Sequence, residues 1–151
     1  MSIKNIKVTI VISMFNEKIS NHLLIGAIGE FEKIGGDKNN IEVYKVPGAF
    51  EIPGTVMQLL KNHQNVHAIL TLGSIIKGET AHFEYISSSV TDALSKISIA
   101  EDTNIPIIYG ILTTYNYQQA ISRSDLRMQN KGAEVMRSTI DTIGTYNKIK
   151  R

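Results

Sequence analysis

The sequence contains no cysteine, so disulfide bonds and thiolate catalysis are both excluded. A chain without cysteine is compatible with a reducing cytosol, and we expect a cytoplasmic protein. There is also no apolar run long enough to span a membrane, and residues 1–7 alternate between apolar and polar types where a signal peptide needs an apolar core. These absences predict a globular protein with neither a signal peptide nor a membrane span.

An excess of charge of one sign is also lacking, because 16 basic residues nearly balance 14 acidic ones and leave a net charge of +2. A nucleic-acid-binding protein needs a basic face, and only residues 148–151 are locally basic, so no nucleic-acid partner is expected. The histidines are not spaced as metal ligands. His63 and His67 stand four apart across a predicted turn, without a cysteine or acidic partner at ligand spacing, and we interpret both as surface residues.

The chain does contain a regular alternation of short apolar runs and helical patterns. The predicted strands are residues 8–13, 41–46, 68–72 and 107–113, and the predicted helices cover residues 17–34, about 53–62, about 81–99, 117–123 and 130 onward. Asn16 is expected to cap the first helix, and the alternating second strand should lie near the sheet edge. This order predicts one α/β domain over residues 1–151, a doubly wound, flavodoxin-like three-layer sandwich. Its four-stranded parallel sheet would carry helices on both faces.

The most informative stretch runs from Gly73 to Thr80, directly after the third predicted strand. A glycine-bracketed loop between a buried strand and a helix presents backbone N–H groups and the positive end of the helix dipole to an anion. The spacing resembles a nucleotide-binding P-loop, but Glu79 occupies the position where that loop needs lysine, and a carboxylate there would repel a polyphosphate. The stretch therefore predicts a site for one small phosphate group.

His82 follows this loop at the start of the third predicted helix. An imidazole can accept and donate protons at neutral pH, so His82 is a candidate proton carrier. Packing or capping at the helix start explains its spacing equally well.

Two other loops leave predicted strands at the carboxyl edge, where ligands of open α/β sheets bind. Phe15 follows the first strand, and its ring could either stack on a planar ligand or act as a hydrophobic staple. Pro47 and Pro53 frame the turn after the second strand. Because both prolines stiffen this turn, residues 49–51 can present backbone groups to a ligand.

Together these loops resemble the 6,7-dimethyl-8-ribityllumazine synthase family. The matching segments are Phe15-Asn16, residues 46–53, 72–73 with 78–85, 109–114, 119–120, 123 and 130–134. Each motif alone would be weak, but the combination covers almost the whole chain. The resemblance implies a transferase of riboflavin biosynthesis that condenses 5-amino-6-(D-ribitylamino)uracil with 3,4-dihydroxy-2-butanone 4-phosphate and releases phosphate and water. It also implies that neither a metal nor an organic cofactor is needed.

The resemblance implies roles on the pyrimidine side of the site. Phe15 would stack on the pyrimidine, while Ala49, Phe50, Glu51, Ser74, Ile75 and Ile76 would hold the uracil and the ribityl chain. Tyr109, where the family usually has phenylalanine, would come from the neighbouring subunit and close the pocket.

On the phosphate side, the resemblance implies that Glu79 and Thr80 offer backbone N–H groups. Arg123 would add a charge-assisted hydrogen bond, and Lys131 would be a second cation. His82 would be the catalytic residue that transfers protons. Lys77 stands where the family usually has arginine, and it keeps the charge without the planar fork.

The resemblance finally implies a homo-oligomer, since family members form pentamers with the active site at the subunit interface, and some pack many pentamers into a capsid. Capsid-forming members usually have a longer N-terminal extension and a glycine-rich loop before the Asn-Lys-Gly motif. Here the first strand begins near the N-terminus, and residues 124–129 contain no glycine. We therefore expect a pentamer that does not close into a shell.

Two other classes of function stay open at this point. One is a protein that binds a ribityl compound or a flavin without turnover, and the other is a pure scaffold, because the fold alone would permit either. The joint presence of His82, Arg123 and Lys131 favours an enzyme, since a binder or a shell does not need the whole set.

Overall fold

The computed structural model describes residues 2–62 and 65–150, so the predicted surface position of His63 lies outside the described residues. The strands are β1 (Val8–Ser13), β2 (Ile41–Val46), β3 (Ala68–Ile76) and β4 (Ile107–Thr114). The helices are α1 (Glu17–Lys33), α2 (Glu51–Asn62), α3 (His82–Ser98), α4 (Tyr117–Ser124) and α5 (Lys131–Ile149), and short 3-10 turns cover Ile3–Asn5 and Lys38–Asn40.

All strand pairs are parallel, and the order across the sheet is β2-β1-β3-β4. The predicted flavodoxin-like fold with a four-stranded parallel sheet is confirmed. So is the edge position of β2, which has a strand neighbour on one side only. β1 is buried along its whole length, as its continuous β-branched sequence predicts for a strand covered on both faces.

Each face of the sheet has its own apolar layer. Ile10 and Leu70 pack with Leu23 of α1 and Met136 of α5, so α1, α4 and α5 cover one face. On the other face, the strands pack against α2 and α3 through a second cluster that includes Val11, Ile69, Ile52, Val56 and Leu94. Burying side chains of this size stabilises the fold by about 1.5–3 kcal/mol each.

The third strand is longer than predicted, and the expectation that a loop begins at Gly73 was wrong. Gly73 to Ile76 continue the strand and pair with residues 111–114 of β4. Gly73 is needed for packing, because an added Cβ would overlap the Ser13 hydroxyl on the neighbouring strand. The true loop is residues 77–81.

Asn16 occupies the predicted N-cap position of α1, but its side chain does not cap the helix. Asn16 has a left-handed backbone (φ 63°, ψ 61°), and its side chain accepts no capping hydrogen bond. Its amide instead donates to the Ser74 hydroxyl at 3.3 Å. Asparagine tolerates the left-handed region better than most residues, so the position favours Asn for backbone reasons. This contact joins the loop after β1 to the end of β3.

The start of α5 is locked against α1 by one asparagine side chain. Asn130 caps the helix by accepting a hydrogen bond from the Ala133 N–H at 3.1 Å. Its amide nitrogen donates to the carbonyls of His22 (3.1 Å) and Ser124 (2.6 Å). Gly26 leaves room for this side chain. The predicted helix start at Asn130 is confirmed.

Gly132 lets the two helix backbones approach closely, because an added Cβ would overlap the Leu23 carbonyl of α1. We expect Gly132→Ala to lower the free energy of unfolding by about 1–3 kcal/mol, the usual cost of overpacking. Gly144→Ala in the same helix is the matched control, since nothing lies within 4 Å of its added Cβ. It should be neutral or stabilising by up to about 1 kcal/mol, and equal effects in denaturant titrations would contradict this account.

A buried carboxylate forms a second link between α1 and α5. Glu30 accepts a hydrogen bond from the Arg137 side chain at 2.6 Å and is only 8% exposed. This bond is the main cause that holds the pKa of Glu30 below its ordinary 4.5. A carboxyl group whose pKa is lower in the folded than in the unfolded protein stabilises the fold at pH values above its unfolded pKa. This stabilisation is lost as the pH falls through the folded pKa.

Arg137→Met should therefore destabilise the protein at pH 7, and the difference from the parent should shrink as the pH is lowered below about 4, the ordinary carboxyl range. Chemical unfolding at a series of pH values measures this. When Arg137→Met is introduced into the Glu30→Gln variant, the resulting change in the free energy of unfolding should depend little on pH. A constant difference at all pH values would refute the linkage.

Candidate functional site

A cavity of about 430 Å³ opens at the carboxyl edge of the sheet. It brings together nine of the residues predicted for the site: Phe15, Ala49, Phe50, Glu51, Ser74, Ile75, Ile76, Thr80 and His82. They come from the ends of β1, β2 and β3 and the helix starts that follow, which is the usual ligand position in such sheets.

The cavity combines a buried wall with exposed aromatic rings. Ser74, Ile75 and Ala49 are buried, whereas Phe15 is 70% and Phe50 is 60% exposed. Exposed rings of this size are available for stacking on a planar ligand. The alternative reading of Phe15 as a buried staple does not fit this exposure.

Backbone hydrogen bonds tie together the two loops that carry these rings. The Phe15 N–H donates to the Pro47 carbonyl at 3.0 Å, so the loop after β1 is bonded directly to the turn after β2. The Glu51 carboxylate accepts a hydrogen bond from the Gly48 N–H at 2.9 Å and closes that turn. The side chain of Glu51 thus fixes the turn that presents Ala49 and Phe50.

The loop at residues 77–81 has free donors beside a helix start. His82 is the first residue of α3, and this helix has no side-chain cap. Within the described part of the chain, the N–H groups of Glu79 and Thr80 make no hydrogen bond. Free N–H groups and the positive end of the helix dipole together suit an anion. Glu79 belongs to this loop but does not line the cavity, and the imidazole of His82 is exposed.

Arg123 and Lys131 lie elsewhere in the chain, in a groove of about 490 Å³ that shares no lining residue with the cavity. Lys131 is paired with Glu134, with 2.6 Å between nitrogen and oxygen. Arg123 forms no ion pair among the described residues, so its guanidinium is free for an anion. The predicted cations therefore share one surface, but a single chain does not bring them to His82.

The turn beside this groove is fixed by its own ion pair. The Asp125 carboxylate accepts hydrogen bonds from the Arg127 guanidinium at 2.9 and 3.2 Å and from the Arg127 N–H at 2.9 Å. These bonds lower the pKa of Asp125 to about 2. Arg127 is thereby committed to the turn, which leaves Arg123 as the available arginine of this groove.

Tyr109 occupies a third position, in a groove of about 140 Å³ between β4 and α3. Its hydroxyl is 3.0 Å from the Thr91 hydroxyl. No residue that lines this groove lines the cavity of His82. Within one chain, Tyr109 therefore cannot close that cavity.

Larger cavities open at the amino ends of the strands, and one of about 620 Å³ is lined by Lys7, Asn39 and Asn62. These cavities are distant from the helix starts that can bind anions, which lie at the carboxyl ends of the strands. No cluster of three possible metal ligands occurs within residues 2–62 and 65–150. His67 is half-buried there, and its Nδ1 accepts a hydrogen bond from the Lys7 N–H at 2.9 Å.

Three residues of the cavity were not predicted: Gly78, Phe83 and Ile86. Phe83 and Ile86 stand one and four positions after His82, so helical spacing from the histidine could have identified them. The contacts of Asn16 with Ser74 and of Lys77 with Glu84 were also missed, because no pattern in the sequence reveals them.

None of the described helices is both long enough and apolar enough to cross a membrane. A family model described as 6,7-dimethyl-8-ribityllumazine synthase matches residues 5–147 of the 151-residue chain.

Proposed function

Because the chain belongs to the 6,7-dimethyl-8-ribityllumazine synthase family, a family of transferases, we propose that it makes 6,7-dimethyl-8-ribityllumazine. Its substrates would be 5-amino-6-(D-ribitylamino)uracil and 3,4-dihydroxy-2-butanone 4-phosphate. The observation that carries this proposal is the cavity in which exposed aromatic rings, a polar strand end and His82 meet.

The pyrimidine fits the aromatic side of the cavity. The rings of Phe15 and Phe50 are exposed and can stack on a flat heterocycle. Residues 49–51 and 74–76 line the same cavity and can hold the uracil and the ribityl chain by polar groups. The ties between the loops keep this surface in place before a substrate arrives, which reduces the ordering cost of binding.

The phosphate of the second substrate fits the start of α3. The N–H groups of Glu79 and Thr80 are free, and the helix dipole favours an anion there. Arg123 supplies a charge-assisted hydrogen bond, and Lys131 adds a second cation if it exchanges Glu134 for the phosphate. Both cations must come from a neighbouring chain, because their groove is separate from the cavity.

Each chemical step moves a proton. The pyrimidine amine attacks the ketone carbonyl, a C–N bond forms, and one water leaves as the imine forms. Loss of a C–H proton then accompanies cleavage of the C–O bond to phosphate, and ring closure releases the second water. His82 at the cavity can accept and return these protons, while much of the rate comes from holding the two substrates together.

The assembly follows from the same geometry. We infer a pentamer in which the surface with Arg123 and Lys131 faces the His82 cavity of the next chain, and in which a neighbour's Tyr109 closes the pocket. The separation of these residues within one chain supports an arrangement that spans two subunits.

The decisive experiment mixes the two substrates with the purified protein and follows lumazine absorbance and fluorescence. We expect product and inorganic phosphate in equal amounts. Binding of the pyrimidine without product would instead indicate a binding protein, and assembly with neither binding nor turnover would indicate a scaffold.

Variants of the same enzyme test the roles of the two charged residues. His82→Ala should lower turnover less than Arg123→Ala lowers kcat/KM for the phosphate substrate, because positioning supplies most of the rate. Arg123→Ala should lower kcat/KM for the phosphate substrate by about hundredfold, the effect of losing a charged hydrogen bond of about 3 kcal/mol. Lys148→Ala is the control, because it removes an exposed cation that lines neither the cavity nor the groove of Arg123. Unchanged kinetics in Arg123→Ala would contradict the proposed site.

Light scattering tests the assembly. We expect a particle of about 84 kDa, five times the 16.8 kDa of one chain. The turn at residues 124–129 is held by the Asp125–Arg127 pair and contains no glycine, which supports a pentamer that does not close into a shell. A capsid many times heavier, or a monomer that is fully active, would refute this expectation.

A further inference from the structure

One side-chain cluster spans the base of the loop between β3 and α3. Lys77, the first residue after β3, places its ammonium 3.3 Å from the Glu84 carboxylate in the first turn of α3. The same ammonium lies 5.9 Å from the ring centroid of Tyr115, just beyond β4. The Tyr115 ring also contacts that of Phe83, with 6.4 Å between centroids. We call Lys77, Glu84 and Tyr115 the loop clamp.

The clamp is anchored to a well-bonded part of the fold. The Lys77 N–H donates to the Thr114 carbonyl at 2.9 Å, which extends the pairing of β3 with β4 by one residue. The Tyr115 N–H donates to the side chain of Gln119 in α4 at 2.9 Å. Tyr115 therefore offers a fixed ring against which the lysine ammonium rests.

The rest of the loop has few other restraints. The His82 N–H approaches the Thr80 hydroxyl at 3.4 Å, which is a long contact. Across the described chain, no other side-chain hydrogen bond or ion pair reaches residues 78–81. The conformation of the free N–H groups at Glu79 and Thr80 thus depends mainly on the clamp.

An exposed ion pair by itself contributes little to global stability, and Lys77 and Glu84 are both about half exposed. The clamp differs from an ordinary surface pair because it joins the two ends of a ligand-binding loop. Glu84 is also charged before any ligand binds, since its own backbone N–H and Lys77 hold its pKa below the ordinary value. Ordering the loop in advance lowers the cost of binding an anion there.

We propose that Lys77 is a positioning residue that acts through Glu84 and Tyr115 to hold residues 78–81 in the conformation that binds phosphate, without touching the phosphate itself. This inference rests on the proposed function, because it concerns how that site is organised.

The test compares Lys77→Met and Glu84→Gln with the parent enzyme. Each should raise KM for the phosphate substrate about threefold to tenfold, because the competent loop conformation is less populated. KM for the pyrimidine should change little. Lys77→Arg should restore the parent value, since arginine can keep both contacts. Lys96→Met is the matched control: it breaks an exposed pair with Asp92 in the same helix, away from the loop.

Glu84→Gln separates this proposal from direct binding of phosphate by Lys77. A direct ligand would be freed by the loss of Glu84, so KM for the phosphate substrate would stay the same or fall, and that result would overturn the clamp. The double variant should be about as impaired as Lys77→Met alone, because without the lysine Glu84→Gln removes no further contact of the clamp. Additive losses would overturn it as well.

Hydrogen exchange gives a readout that does not depend on activity. The amides of His82 and Tyr85, which are bonded to the Thr80 hydroxyl and the Ala81 carbonyl, should exchange faster in Lys77→Met than in Lys96→Met or the parent. If the parent makes no lumazine, the proposed function fails while this exchange difference still tests the clamp. If the parent is active and the exchange is unchanged, the clamp alone is wrong.

Discussion

The parallel pairing of β3 with both β1 and β4 is the constraint on which the rest of the molecule depends. It continues on the β4 side to Ile76 and so decides that only residues 77–81 are free to form a loop. It also brings the ends of three strands to one edge of the sheet, where the loops after β1 and β2 are tied together and Asn16 reaches Ser74. The cavity therefore depends on the register of the sheet, and backbone hydrogen bonds hold the loops that carry its exposed aromatic rings.

The strands at residues 8–13 and 41–46 could be predicted to the residue, because β-branched runs end sharply at turn-forming residues. The third strand could not, since Gly73 and Ser74 are typical of loops, and only packing against Ser13 shows why a glycine continues the strand. The family and its fold were predictable from the combination of motifs, and the roles of the site residues stay predictions. The separation of Arg123 from His82 could not be predicted from local sequence patterns, because spacing along a chain does not reveal which surfaces face each other.

Two kinds of restraint position the polar residues of the candidate site. Lys131 is placed by packing: Asn130 fixes the start of α5, and Gly132 presses that turn against the backbone of α1. The loop before His82 is placed by charge, through Lys77 and Glu84 at the surface. The first kind tolerates almost no change in side-chain volume, whereas the second tolerates a residue that keeps a cation in reach of both the Glu84 carboxylate and the Tyr115 ring. The Asn-Lys-Gly segment thus serves the fold directly.

The division of the polar residues between two surfaces of the chain has a genetic consequence. In the proposed ring, every reaction centre draws its histidine from one protomer and its arginine from another. An allele that has lost the histidine and one that has lost the arginine would then complement one another in mixed rings. At some subunit interfaces of such a ring, an intact histidine of one protomer would meet an intact arginine of the next. Two alleles that damage the same one of these two surfaces would not complement each other.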